Sequence, residues 1–124
     1  MFGPARNVTP SMPSDPARTL DEILENIRMA ETWVKGLSLE GFTSDRLRFY
    51  AVTRCLEVIS EAVRRLPTEL LDRHPEIAWR AIKAAGNIYR HQYQDVLERD
   101  VFDTVRHHLP ILAAVVRTER GENA

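Results

Sequence analysis

Residues 87–95 read Asn-Ile-Tyr-Arg-His-Gln-Tyr-Gln-Asp, a stretch of about two and a half helical turns dense in groups that can do chemistry. Asn87, His91 and Asp95 stand at i, i+4 and i+8, which on a helix places them along one stripe. Tyr93 follows His91 by two residues, on an adjoining part of the surface. An unperturbed imidazole titrates near about pH 6.5, so His91 can take or give a proton around neutrality. Arg90 brings a fixed positive charge whose planar fork matches two phosphate oxygens. Asn87 can orient the imidazole or donate to phosphate, and Asp95 can orient the ring or cap a helix end. The set suits phosphodiester chemistry without a metal. It equally suits a polar seam between two copies of the chain, and both readings stay open at this point.

The surrounding chain must position that stretch. Its 124 residues fit one domain, with an ordinary apolar fraction for a core. A formal net charge of −1 provides no global field to draw in nucleic acid or an anionic membrane, so such binding would need a local patch. Arg54, Arg64, Arg65, Arg73, Arg80, Lys83 and Arg90 are interleaved with Glu57, Glu61, Glu69, Asp72 and Glu76, a weak patch signal. The single cysteine, Cys55, allows no intrachain disulfide and no thiolate cluster, and it falls at an apolar position of an expected helix, where a buried small hydrophobe is expected instead of a nucleophile. With neither a membrane-length apolar run nor a signal-peptide core, a reducing cytoplasm is the expected location.

Residues 1–18 hold four of the seven prolines and are expected to be a disordered leader. Thr19 and Glu22 have capping-box spacing, and Leu20, Ile23, Leu24, Ile27, Ala30, Val34 and Leu37 form a helical stripe ending near Gly36. A connector over 38–44 carries Leu39 and Phe42 as plugs for one end of the core. A second helix is expected from Ser44–Asp45, with Leu47, Ala51, Cys55, Val58, Ile59, Ala62 and Leu66 inward and Pro67 as its stop. Thr68–Arg73 fits a short helical turn. Pro75 opens a third helix in which Ile77, Ile82, Ala85 and Tyr89 face inward and Trp79 wedges against a neighbour. Gln92–Arg99 reads as that helix's frayed end and a loop. Asp100 then starts the last helix, with Val101, Val105, Leu109, Leu112 and Val116 inward and a kink one turn above Pro110. Residues 119–124 are a polar tail. The period is helical throughout, which predicts an all-α, antiparallel four-helix up-and-down bundle.

Ala84-Ala85-Gly86 removes bulk one turn before the polar stretch, where glycine costs about 1 kcal/mol against alanine. Such a gap serves a tight helix crossing or the approach of a ligand. His107 and His108 diverge by about 100° on a helix and fit a solvated face. His91 and Asp95 alone fall short of a zinc ligand set, so no metal and no cofactor are expected.

Three segments, "RCLEVISEAVRRLPTELLDRHPEIAWRAI", "GNIYRHQYQDV" and "VFDTVRHHLPIL", resemble the HepT-like branch of the HEPN superfamily. The likeness covers roughly residues 19–117, within a helical domain set at 19–118. It implies a two-fold homodimer whose motifs face a shared cleft. It also implies the toxin of a type VII-like toxin–antitoxin system, a metal-independent ribonuclease acting on RNA. The implied partner is a minimal nucleotidyltransferase antitoxin that silences the toxin by attaching AMP to the motif tyrosine. The family motif, Arg-Asn-x-x-x-His-x-Tyr, places its Asn on Asn87, its His on His91 and its Tyr on Tyr93. The resemblance thus makes His91 catalytic and Tyr93 both a backbone-positioning group and the AMP acceptor. The motif arginine falls on Gly86, and no other arginine stands four to six residues before His91. Helical side chains lean toward the N-terminus, so Arg90 can lie back over position 86 as the substitute cation. A second reading is a catalytically weakened dimer that docks the nucleotidyltransferase and accepts AMP without cutting RNA. A structural dimer or RNA-binding adaptor is a third.

Overall fold

The computed structural model describes residues 15–91 and 94–121, with 88–91 and 94–97 described at backbone level. Among the described residues the fold is all-helical, with no strand. Helix α1 spans Pro16–Val34. It begins three residues before the expected Thr19 because Asp15 caps it, accepting from the Ala17 N–H at 3.0 Å, and Pro16 supplies a pre-set first position. Thr19 instead lies buried inside the helix, its hydroxyl donating to the Asp15 carbonyl. The stripe from Leu20 to Val34 is buried as its period requires. Gly36, at φ +77°, turns the chain out of α1.

The expected connector contains a short helix, α2 (Leu39–Ser44), capped by Ser38. Its Phe42 is fully buried, a plug as the sequence suggests. Asp45 caps α3 (Arg46–Arg64), accepting from the Arg48 N–H. The buried face of α3 differs in phase from expectation. Phe49, Val52, Leu56 and Val63 are inside with Cys55, Ile59 and Ala62, whereas Leu47 is 75% exposed. The cause is packing on two sides: α3 lies against both α1 and α5, so Thr53 and Ser60 are covered as well. Burial pushes the Cys55 thiol up, in keeping with an inert core residue.

After α4 (Thr68–Asp72), Pro75 does not open a helix; α5 spans Trp79–His91. The Trp79 indole donates to the carbonyls of Leu71 and His74, each at 3.0 Å, and this tether holds residues 74–78 as a turn under which Ile77 is buried. The next helix also departs from expectation. It opens at Gln94, not Asp100, as α6 (Gln94–Asp103), and runs through a π-helical turn at Thr104–His108 into α7 (Leu109–Arg120). Pro110 explains the π turn. A proline ring clashes with the carbonyl four residues earlier, that of Arg106, and the wider turn relieves this by giving the Leu109 N–H to Thr104. The expected kink therefore takes the form of a local widening.

Helix α3 and the α6–α7 arm each run antiparallel to α1. Arg65 meets Glu22 at 2.5 Å while Arg48 reaches the Trp33 carbonyl, which sets α3 against α1. Arg120 pairs with Asp21 at one end of α1 and Arg106 reaches the Leu37 carbonyl beyond the other, which sets the α6–α7 arm. Between α5 and α7 lies an open, mostly apolar groove of about 460 Å³ lined by Ile82, Ala85, Ile111 and Leu112. No helix among the described residues is long and apolar enough to cross a membrane.

Glu119 and Arg120, expected in the polar tail, are helical and paired. Arg73 holds Glu119 with two bonds (2.6 and 3.0 Å) and His74 adds a third at 2.5 Å. The Arg73 guanidinium, aided by His74, keeps the Glu119 carboxyl near 2 instead of its ordinary 4.5. A depressed carboxylate stabilises the fold above its unfolded value, and that stabilisation fades as pH falls from about 4.5 toward 2. Glu119→Gln should therefore cost on the order of 1–2 kcal/mol at pH 7, a figure reduced for the solvent-exposed Arg73. Urea titrations of both proteins should show the gap closing between pH 5 and pH 2.5. A constant gap would show that the ionised pair contributes no stability.

Candidate functional site

The site is built on the crossing of α3 and α5. The Ser60 hydroxyl, buried in α3, donates to the carbonyls of Ile82 (2.7 Å) and Lys83 (3.2 Å) and accepts from the Gly86 N–H (3.2 Å). Arg64 adds two bonds from its guanidinium to the Lys83 carbonyl, at 3.1 and 2.7 Å. A Cβ at position 86 would sit 3.1 Å from Ser60 Oγ. Of the two roles open to Gly86, the tight crossing is the one observed. Gly86 is thus a residue whose missing side chain admits α3.

This contact makes a double-substitution prediction. Gly86→Ala gains about 1 kcal/mol of helix propensity but pushes against a hydroxyl held by three bonds. It should destabilise by about 1 kcal/mol alone. In a Ser60→Ala background the same change should be neutral or stabilising, a coupling of at least about 1 kcal/mol in a denaturation cycle. Additive effects would mean that Ser60 does not constrain position 86.

From this crossing α5 runs on to the chemically loaded residues. Asn87 is exposed, and His91 closes α5 one turn later, so the two share a stripe of the helix backbone. Arg90 precedes His91 in that last turn, and Asp95 lies in the first turn of α6. Gln92 and Tyr93 lie outside the described residues, as do the side chains of Tyr89, Arg90, His91 and Asp95.

The register of α3 identifies residues that spacing alone did not single out. Ser60 faces Gly86, and Arg46 pairs with Glu98 of α6 at 2.6 Å. Interpolating between these contacts sets Arg54 level with the end of α5 and Tyr50 level with the start of α6. The basic run of the sequence is largely engaged elsewhere: Arg64 by a carbonyl, Arg65 and Arg73 by carboxylates. His107 and His108 are exposed, with Asp103 at 3.6 and 3.8 Å.

An all-helical domain with an Asn–His stripe closing one helix is the class that fold and spacing define. Comparison makes it specific: the ribonuclease HepT-like family model matches residues 23–119, and the chain belongs to that family. It is similar to a candidate RNase of Caldanaerobacter subterraneus subsp. tengcongensis, 32% identical over 102 residues that cover 82% of this chain and 91% of the relative. The "probable ribonuclease HepT" of Thermococcus cleftensis is 33% identical over 93 residues, covering 75% and 84%. A candidate RNase of Methanocaldococcus jannaschii is 32% identical over 91 residues, covering 73% and 75%. No solved structure gives a significant match.

Proposed function

We propose that the chain is an RNA-cleaving toxin acting as a two-fold homodimer of HEPN-type four-helix bundles, silenced by AMP transfer from a nucleotidyltransferase. The observation that carries this reading is the family match over residues 23–119, within which Asn87 and His91 share one stripe of α5. In the reaction an RNA 2′-hydroxyl attacks its own phosphorus and the 5′-oxygen leaves, giving a cyclic phosphate and a 5′-hydroxyl. His91 of one copy takes the 2′ proton and His91 of the other protonates the leaving oxygen. Arg90 stabilises the charge on the pentacoordinate phosphorus, and Asn87, Tyr93 and Asp95 position the strand and the imidazole. For silencing, the Tyr93 hydroxyl attacks the α-phosphate of ATP and pyrophosphate leaves. The attached AMP puts bulk and negative charge where an RNA phosphate must sit.

A second reading, a dimer that takes AMP without cutting RNA, is favoured by the packing of Gly86 on Ser60 at the motif's arginine position. Expression of the chain alone in a bacterial host separates the two. Growth arrest with RNA cleavage supports the enzyme; harmless expression with intact RNA removes it. Intact mass after incubation with the cognate nucleotidyltransferase and ATP should rise by one or more AMP groups. In Tyr93→Phe that rise should vanish, and its persistence would move the acceptor to another residue.

A further inference from the structure

We infer that the outer flank of α3, through Arg46, Tyr50 and Arg54, is a track that guides single-stranded RNA to the end of α5. This deepens the ribonuclease reading above and rests on it. Arg46, Ser60 and Arg64 all reach across to the α5–α6 arm, which marks the flank of α3 that faces it. Tyr50 and Arg54, four and eight residues after Arg46, continue that flank to solvent. By the register set at Gly86 and Glu98, this stripe runs from the level of the end of α5 toward Glu98 of α6.

The groups on the stripe fit a nucleotide strand. Tyr50 is 64% exposed, unusual for an aromatic ring, yet it is held in place. The Phe49 ring meets it edge-on at 5.7 Å, and the Arg46 guanidinium lies 5.2 Å from its centroid and 4.9 Å from that of Phe49. A fixed ring with an open face is a stacking platform for a base, and the Arg46 guanidinium, paired with Glu98, holds that ring in place. Arg54 is 73% exposed on its side chain, with Glu57 at 3.4 Å. Successive groups are about 6 Å apart along the helix, comparable to the step between phosphates of an extended strand. An exposed, fixed ring followed one turn later by an exposed arginine matches single-stranded nucleic acid better than it matches the apolar centre of a protein interface.

The test uses the full chain carrying His91→Ala, so that RNA binds without being cut, and a fluorescent single-stranded 12-nucleotide RNA at fixed salt. Tyr50→Ala should weaken binding roughly 5- to 100-fold, the range for loss of one stacked base. Tyr50→Trp should keep it. Arg54→Glu should weaken binding and flatten its salt dependence. Both Tyr50 and Arg54 are solvent-facing, and circular dichroism should show an unchanged helical signal. Unchanged affinity in both Tyr50→Ala and Arg54→Glu would overturn the track alone, provided the parent binds and the wild type cuts RNA. Should the parent fail to bind and the wild type fail to cut, the ribonuclease reading falls, and the track with it. Variants that hold RNA normally but no longer form a complex with the nucleotidyltransferase would assign this face to a protein partner and overturn the track.

Discussion

Replacing His91 with alanine is expected to lower RNA cleavage by about 100- to 10,000-fold, the usual worth of a positioned acid or base. In the proposed mechanism the loss should be large because the imidazole is the group assigned to deprotonate the RNA 2′-hydroxyl, a poor nucleophile until then. If each copy lends its His91 to one proton transfer, a heterodimer of one wild-type and one His91→Ala chain should be almost as impaired as the double variant. A site working within one copy would instead keep about half the activity. The fold should be indifferent, since alanine is the better helix former at the end of α5. Gel assays on a defined single-stranded RNA, with circular dichroism on the same samples, check both halves. Cleavage surviving in His91→Ala would remove the imidazole from the chemistry. Arg90→Ala probes the neighbouring role: with Gly86 pressed on Ser60, no side chain at 86 supplies charge, so a fall in cleavage would assign the phosphate cation to Arg90.

What could be read from the chain depended on how many faces each helix buries. In α1 the stripe from Leu20 to Val34 has one phase and was legible residue by residue. In α3 two neighbours compete for the helix, and a one-face reading placed Leu47 inside although it lies at the solvent-facing first turn. The delayed start of α5 follows from an indole reaching back eight residues to the Leu71 carbonyl, which no local propensity encodes. The disturbance above Pro110 is placed by proline chemistry, but its form, a widening at Thr104–His108 instead of a bend, is not encoded in that residue type. At the site, the Asn87–His91 stripe followed from spacing alone. The role of Gly86 did not, because its partner Ser60 is distant in sequence and only the helix crossing brings them together. Arg46, Tyr50 and Arg54 have i, i+4, i+8 spacing, yet spacing alone does not single them out; only the antiparallel register of α3 relates them to the end of α5.

Phe42→Ala is the substitution that should damage the fold most, by about 3–5 kcal/mol, a large share of what a domain this size possesses. The side chain is fully buried although it sits on a helix of six residues, so α2 has little else to hold it in place. Its ring meets Phe49 of α3 at 6.0 Å and Phe102 of α6 at 5.6 Å, tying three elements at one end of the molecule. Phe49 in turn supports Tyr50, and Arg46 spans from the Phe49 ring to Glu98 of α6. Loss of the Phe42 ring should therefore loosen the end of the fold that carries the start of α6 and the exposed flank of α3. Chemical denaturation should show the drop in stability, and hydrogen exchange should show amides of α2, the first turns of α3 and α6 losing protection before those of α1. Phe42→Leu, which keeps most of the buried volume, should cost roughly 1–1.5 kcal/mol and spare that protection pattern. A cost below about 1 kcal/mol for Phe42→Ala would mean that α2 is held by its caps and not by its ring, and the link from core to the exposed flank of α3 would break at that step.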